Sequence, residues 1–167
     1  MGIEIERKFL LADDGWRAAV QRSQTMAQGY INDMGALREG HQKASVRVRI
    51  AGDTGWLNLK SRELGHTRQE FDYPIPLADA RGLLALCVGG RIEKVRHYIP
   101  WQGLTFEVDE FSGDNAGLLV AELELDHPDA VFARPGWLGR EVTDELRFYN
   151  LALAERPYSQ WSVQERM

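Results

Sequence analysis

Charged residues set two apart between apolar ones recur along this chain, and their types suit the handling of a polyanion. Seven such sets stand out: Glu4, Glu6 and Lys8; Arg47 and Arg49; Asn58 and Lys60; Glu70 and Asp72; Lys94 and Arg96; Glu107 and Asp109; Glu122 and Glu124. In a β-strand residues i, i+2 and i+4 point to one side, so Glu4, Glu6 and Lys8 share a face and Ile3, Ile5 and Phe9 share the other. Signs are largely segregated by strand: Glu107/Asp109 and Glu122/Glu124 are acidic, Arg47/Arg49 and Lys94/Arg96 basic. Clustered carboxylates suit a hard divalent cation such as Mg²⁺ or Mn²⁺. Clustered Arg and Lys suit phosphate, Arg through a bidentate fork and Lys as a compact charge. Brought together, the two sets would hold a metal–polyphosphate complex.

The elements that must position these residues follow from periodicity. Strands are expected at 3–11, 27–33, 45–51, 56–62, 67–74, 91–99, 103–111 and 119–126, joined mostly by tight turns such as Gly52–Gly55 and Gly113–Gly117. Helical spacing is expected after Asp13-Asp14 (Trp16, Ala19, Val20), from Leu77 through Cys87 before Gly89-Gly90, and after Thr143 through R-F-Y-N-L-A-L-A-E. Alternation alone usually buries the apolar face and leaves charges in water. Two features favour the reverse arrangement: like charges sit on one face of one strand, where they repel, and three amphipathic helices need an apolar surface to cover. The expected fold is α+β and mainly β: a closed eight-stranded antiparallel barrel with a charged lumen, covered by a few helices and a C-terminal helix, as a single domain over residues 1–167.

Composition narrows the function classes. A net charge of −5 argues against non-specific nucleic-acid binding. Cys87 is the single cysteine and has no disulfide or metal-ligand companion. His41, His66, His97 and His127 are scattered and read as surface or strand residues. No apolar run reaches membrane-spanning length, and the acidic start lacks a signal-peptide pattern, so a cytoplasmic protein without membrane partners is expected.

The ordered set resembles the CYTH superfamily, the triphosphate tunnel metalloenzymes, in its small bacterial-type inorganic triphosphatase branch. The likeness rests on E-x-E-x-K at Glu4, Glu6 and Lys8, G-Y-I at Gly29–Ile31, R-x-R at Arg47 and Arg49, then Lys60, Arg68 with Glu70, K-x-R at Lys94 and Arg96, the acidic strand of Glu107 and Asp109, and E-x-E at Glu122 and Glu124. It implies a tunnel binding triphosphate with Mg²⁺ or Mn²⁺. Glu4, Glu6, Glu122 and Glu124 would be metal ligands; Lys8, Arg47, Arg49, Lys60, Lys94 and Arg96 would grip phosphate. Glu70, Glu107 and Asp109 would anchor the basic residues or bind a second metal, anchoring being favoured, and Asp72 departs from the commoner Glu of its strand. The resemblance also points to Tyr30 as a proton acceptor, its pKa lowered by nearby cations, with Lys8 as the alternative base or an orienter of water.

The expected activity is metal-dependent hydrolysis of inorganic triphosphate or a related small triphosphate. Alternatives within the resemblance are a class IV-type adenylate cyclase and a thiamine triphosphatase. A polyphosphate-binding module without turnover is a further alternative, against which the intact acidic set argues. A sheet edge or the Trp161-bearing tail is a candidate homodimer surface.

Overall fold

Antiparallel pairing of short strands accounts for most of the computed structural model, which describes residues 5–61 and 69–167. One nine-stranded sheet contains β1 (Ile5–Leu11), β2 (Arg22–Tyr30), β3 (Ala44–Ala51), β4 (Thr54–Ser61), β5 (Glu70–Ile75), β6 (Val88–Trp101), β7 (Leu104–Ser112), β8 (Leu119–Leu125) and β9 (Leu138–Glu141). Their order is β5-β4-β3-β2-β6-β7-β8-β1-β9. Among the described residues no ladder joins the edge strands β5 and β9.

Register decides which residues share a face. Lys8 lies opposite Glu122 and Glu6 opposite Glu124. Glu122 lies opposite Glu107, and Asp109 opposite Arg96. Gln28 pairs with Arg49, Tyr30 with Arg47, Arg47 with Asn58, and Asn58 with Asp72. Every charged set read from the sequence therefore falls on one face wherever it is described.

The opposite face is apolar and covered. Helix α2 (Leu77–Ala85) lays Ala80 and Leu84 against Val48, Ala27 and Leu57. Its close approach depends on Gly55, where a Cβ would stand 2.7 Å from the Ala80 Cβ. On the β1, β6, β7 and β8 side, Phe9, Ile99, Phe106, Val108 and Leu123 pack with Trp16 and Trp137. At one end of the charged face its own residues turn apolar: Tyr30, Ile92, Phe111 and Val120 meet Val142, Phe148, Leu153 and Trp161 of the C-terminal segment. That segment closes the end of the charged groove with a hydrophobic core.

Several boundaries differ from the sequence expectation. A ninth strand joins the eight: β9 has one apolar residue, Leu138, and no alternation to betray it, and it forms because β1 offers an open edge. β2 starts and ends earlier than 27–33, because Asn32 takes over the ladder. Its Oδ1 accepts from Val46 N–H at 2.9 Å while its Nδ2 donates to Ala44 O at 2.6 Å. The chain then enters an unforeseen helix α1 (Met34–Arg38), capped by the Asp33 carboxylate on Gly35 N–H. Gly89-Gly90 does not end α2 but lies within β6; Gly89 takes φ +73° beside a register shift opposite β2, the bulge conformation glycine permits. The segment after Asp13-Asp14 is a 3₁₀ turn, Gly15–Ala19. The long C-terminal helix is a 3₁₀ turn, Leu146–Phe148, followed by α3 (Asn150–Glu155), separated by extended Tyr149. Thr143 is not its cap: its Oγ1 accepts from Lys8 N–H. Among the described residues no helix is long and apolar enough to cross a membrane.

Phe148 is 1% exposed and stacks edge-on with Trp161 at 5.2 Å. Phe148→Ala is expected to cost about 3–5 kcal/mol by urea denaturation. Leu146→Ala, at a residue 75% exposed, is expected to stay within about 0.5 kcal/mol of the parent.

Candidate active site

The centre of the charged face is a buried ion network across β6, β7, β8 and β1. The Asp109 carboxylate accepts from Lys94 Nζ at 2.6 Å and from Arg96 Nε and Nη2 at 2.7 and 2.8 Å. Arg96 also reaches Glu107 at 2.5 Å and, past β7, Glu122 at 3.0 Å. The other Glu122 oxygen accepts from Lys8 Nζ at 2.5 Å, and Lys8 pairs with Glu6 at 2.9 Å. Burial alone would raise the pKa of Asp109, but Lys94 and Arg96 override it and hold the carboxyl at about 2. Burial and Asp109 push Glu122 up, and Lys8, Lys94 and Arg96 bring it below its ordinary value. Lys94 is pulled down by burial despite Asp109, because that one carboxylate is shared with Arg96.

The opposite wall is basic and under-compensated. Arg47 and Arg49 of β3 point over the same face, and among the described residues their buried Nε atoms, with Gln28 Nε2 beside them, have no hydrogen-bond partner. A buried donor left unpaired costs roughly 1–3 kcal/mol. Burial lowers the pKa of Arg49, and the nearby charges of Arg47 and Arg96 lower it further. Arg47 and Arg49, with buried Nε donors left unbonded, make a candidate seat for an anion. Lys60 of β4 lies 3.6 Å from Glu70. Asn58 donates to Glu70 at 2.8 Å and to Asp72 at 2.5 Å, so both β5 acids are tied to β4.

Tyr30 stands where the basic wall meets the apolar end. Its phenol is pushed up by burial, against the opposing pull of Arg47, which hydrogen-bonds it. The lowering by nearby cations expected from the sequence is thus reversed: desolvation outweighs them. Lys8, by contrast, is depressed by burial but raised overall by Glu122 and Glu6.

The structure brings Lys8, Glu6, Glu122, Lys94, Arg96, Glu107 and Asp109 into one network and places Arg47, Arg49, Tyr30, Lys60 and Glu70 on the same face. Glu124 faces Glu6 directly across the β1–β8 ladder and is exposed. Glu4 and Arg68 lie outside the described residues. Like charges directly opposite are unfavourable, and burial together with the charge of Glu122 raises the Glu6 carboxyl. Such a set of oxygen donors fits a hard divalent cation in kind. Among the described residues no three His, Cys, Asp or Glu side chains are gathered closely enough to chelate one.

Two participants escaped the sequence reading. Gln28 was recoverable, since it lies two residues before Tyr30 and shares its face. Tyr149 was not: it sits in a stretch with helical spacing, and only the extended break at that residue turns its ring toward Lys8, 4.5 Å from the ammonium.

The CYTH domain model matches residues 2–158. An inorganic triphosphatase of Acetivibrio thermocellus is 41% identical over 159 residues, covering 95% of this chain and 97% of that protein. An inorganic triphosphatase of Nitrosomonas europaea is 37% identical over 157 residues, with 90% and 96% covered. A crystal structure of an inorganic triphosphatase superposes with a TM-score of 0.70 at 33% identity, covering 92% of this chain and 95% of that one. With a matched model spanning nearly every residue and two relatives aligned almost end to end, the chain belongs to the CYTH domain family.

Proposed function

We propose that this protein is a divalent-metal-dependent hydrolase of inorganic triphosphate, working as a single CYTH unit in the cytoplasm. The observation that carries the reading is the pair of buried Arg47 and Arg49 Nε atoms, unpartnered among the described residues and on the same sheet face as the acids Glu6, Glu107, Asp109 and Glu122. The names of the two relatives, both inorganic triphosphatases, support it.

In this reading the sheet encloses a linear triphosphate as a tunnel. Arg47, Arg49 and Lys60 grip one side of the polyanion, and Arg96 and Lys94 grip it from β6. Glu70, Glu107 and Asp109 hold those cations in place: Asp109 bonds both β6 cations, Glu107 bonds Arg96, and Glu70 neighbours Lys60. Glu6, Glu122 and Glu124, with Glu4, would hold Mg²⁺ or Mn²⁺, which supplies charge neutralisation on phosphate oxygens and an acidified water.

Phosphoryl transfer through a loose transition state needs positioning and charge stabilisation more than a strong base. Arg47, Arg49 and Arg96 place fixed donors where charge builds on the leaving phosphate. Lys8, with three N–H donors, orients the attacking water or a phosphate oxygen. Tyr30, whose pKa burial pushes up, donates a hydrogen bond at the apolar end of the charged face and does not act as the proton acceptor.

Release of phosphate and pyrophosphate from tripolyphosphate, with Mg²⁺ or Mn²⁺, is expected to fall by about 100-fold or more in Glu6→Gln. Cyclic AMP from ATP with little tripolyphosphate turnover would replace this reading with a cyclase, and binding without turnover would replace it with a binding module. Arg49→Ala is expected to weaken tripolyphosphate binding by about 10–100-fold in calorimetry, the range for a charge-assisted hydrogen bond. Tyr30→Phe is expected to lower kcat by about 10-fold or less and to leave the acidic limb of the pH–rate profile in place; loss of that limb would restore Tyr30 as the base.

A further inference from the structure

The acidic side of the groove has a wall that no strand provides. After β9 the chain runs back along β1, and the ring of Tyr149 lies against Lys8, its centroid 4.5 Å from Nζ. Glu122 and Glu6 take the same ammonium at 2.5 and 2.9 Å. The Tyr149 hydroxyl faces away from Lys8 chemistry and donates to Thr143 O at 2.7 Å. Thr143 in turn accepts from Lys8 N–H through Oγ1 at 3.0 Å and donates to Glu141 at 2.8 Å. One residue, Thr143, therefore fixes both the backbone of Lys8 and the ring that covers its ammonium.

Two carboxylates on neighbouring strands leave a flexible four-carbon stem free to favour either oxygen. An aromatic face on the remaining side restricts that freedom, because an ammonium near a ring centroid is held by the ring quadrupole. We propose that Tyr149 is a positioning residue for Lys8: its ring face holds the Lys8 ammonium in place between Glu6 and Glu122. The hydroxyl is bonded to Thr143 O, and the ring face alone makes the contact with Lys8. The effect on turnover rests on the triphosphatase reading; the placement of Lys8 does not.

The test compares Tyr149→Leu with Tyr149→Phe in the full chain. Tyr149→Leu is expected to lower kcat on tripolyphosphate by about 10-fold while KM changes by less than about 3-fold, and Tyr149→Phe to stay within about 3-fold of the parent. A second readout is independent of turnover: acylation of Lys8 by an N-hydroxysuccinimide ester, without metal or substrate, followed by peptide mass spectrometry. Labelling is expected to rise several-fold in the leucine variant and to stay near the parent rate in the phenylalanine variant. Thermal melts control for folding, with Tyr149→Ile as the replacement variant if the leucine protein melts early. Phenylalanine as damaging as leucine, or leucine without effect on kcat and labelling, would overturn the proposal. Absence of tripolyphosphate turnover in the parent protein would sink the triphosphatase reading, and the labelling ratio would still decide the role of Tyr149.

Discussion

Asp109, buried on β7 and shared between Lys94 and Arg96, is the interaction on which the charged face depends. An isolated charge in such a place would cost several kcal/mol. Its cost is offset because two cations from the neighbouring strand converge on it, and because Arg96 carries the network onward to Glu107 and Glu122. Glu122 hands it to Lys8 on β1. Four strands are thereby joined by side chains as well as by ladders.

That network also sets an imbalance. On β6, β7, β8 and β1 each of the cations Lys8, Lys94 and Arg96 has carboxylate partners, whereas among the described residues Arg47 and Arg49 on β3 keep Nε donors with nothing to bond. Buried polar groups are nearly always paired, and unpaired ones ask for an explanation. In the proposed reading a polyanion would supply it, since phosphate oxygens satisfy guanidinium forks bidentately. Meanwhile Glu6 and Glu124 oppose each other on the acidic side, where the proposed hard cation would relieve the repulsion. The two deficits are complementary to the two parts of a metal–triphosphate complex. The apolar end formed around Tyr30 and Phe148 limits the charged face on one side, and its burial of the phenol pushes the Tyr30 pKa up.

Much of the site was legible because side-chain parity in strands is strict. Glu6 and Lys8, Arg47 and Arg49, and Lys94 and Arg96 reach one face whatever the exact strand ends, so errors of several residues in β2 and β6 did no harm. Parity left open which face is covered; helix amphipathicity resolved it, through Ala80 and Leu84 on Val48. Hidden from the sequence were features set by tertiary context. β9 carries no pattern of its own and depends on the free edge of β1. Thr143 looks like a helix cap and instead bonds Lys8. The cations around Tyr30 suggested a lowered pKa, but its burial, which only the packed C-terminal segment creates, reverses the direction.

The central claim is that the β3 arginines Arg47 and Arg49, whose Nε donors have no partner among the described residues, are the seat of the polyanion. Nitrogen-15 NMR of the arginine Nε–H signals during titration with tripolyphosphate in metal-free buffer, where turnover is not expected, tests it directly. The account predicts that Arg47 and Arg49 shift to saturation at one equivalent, while the Nε–H of Arg96, already bonded to Asp109, moves little. Saturable shifts confined to other arginines, with Arg47 and Arg49 unmoved, would contradict it.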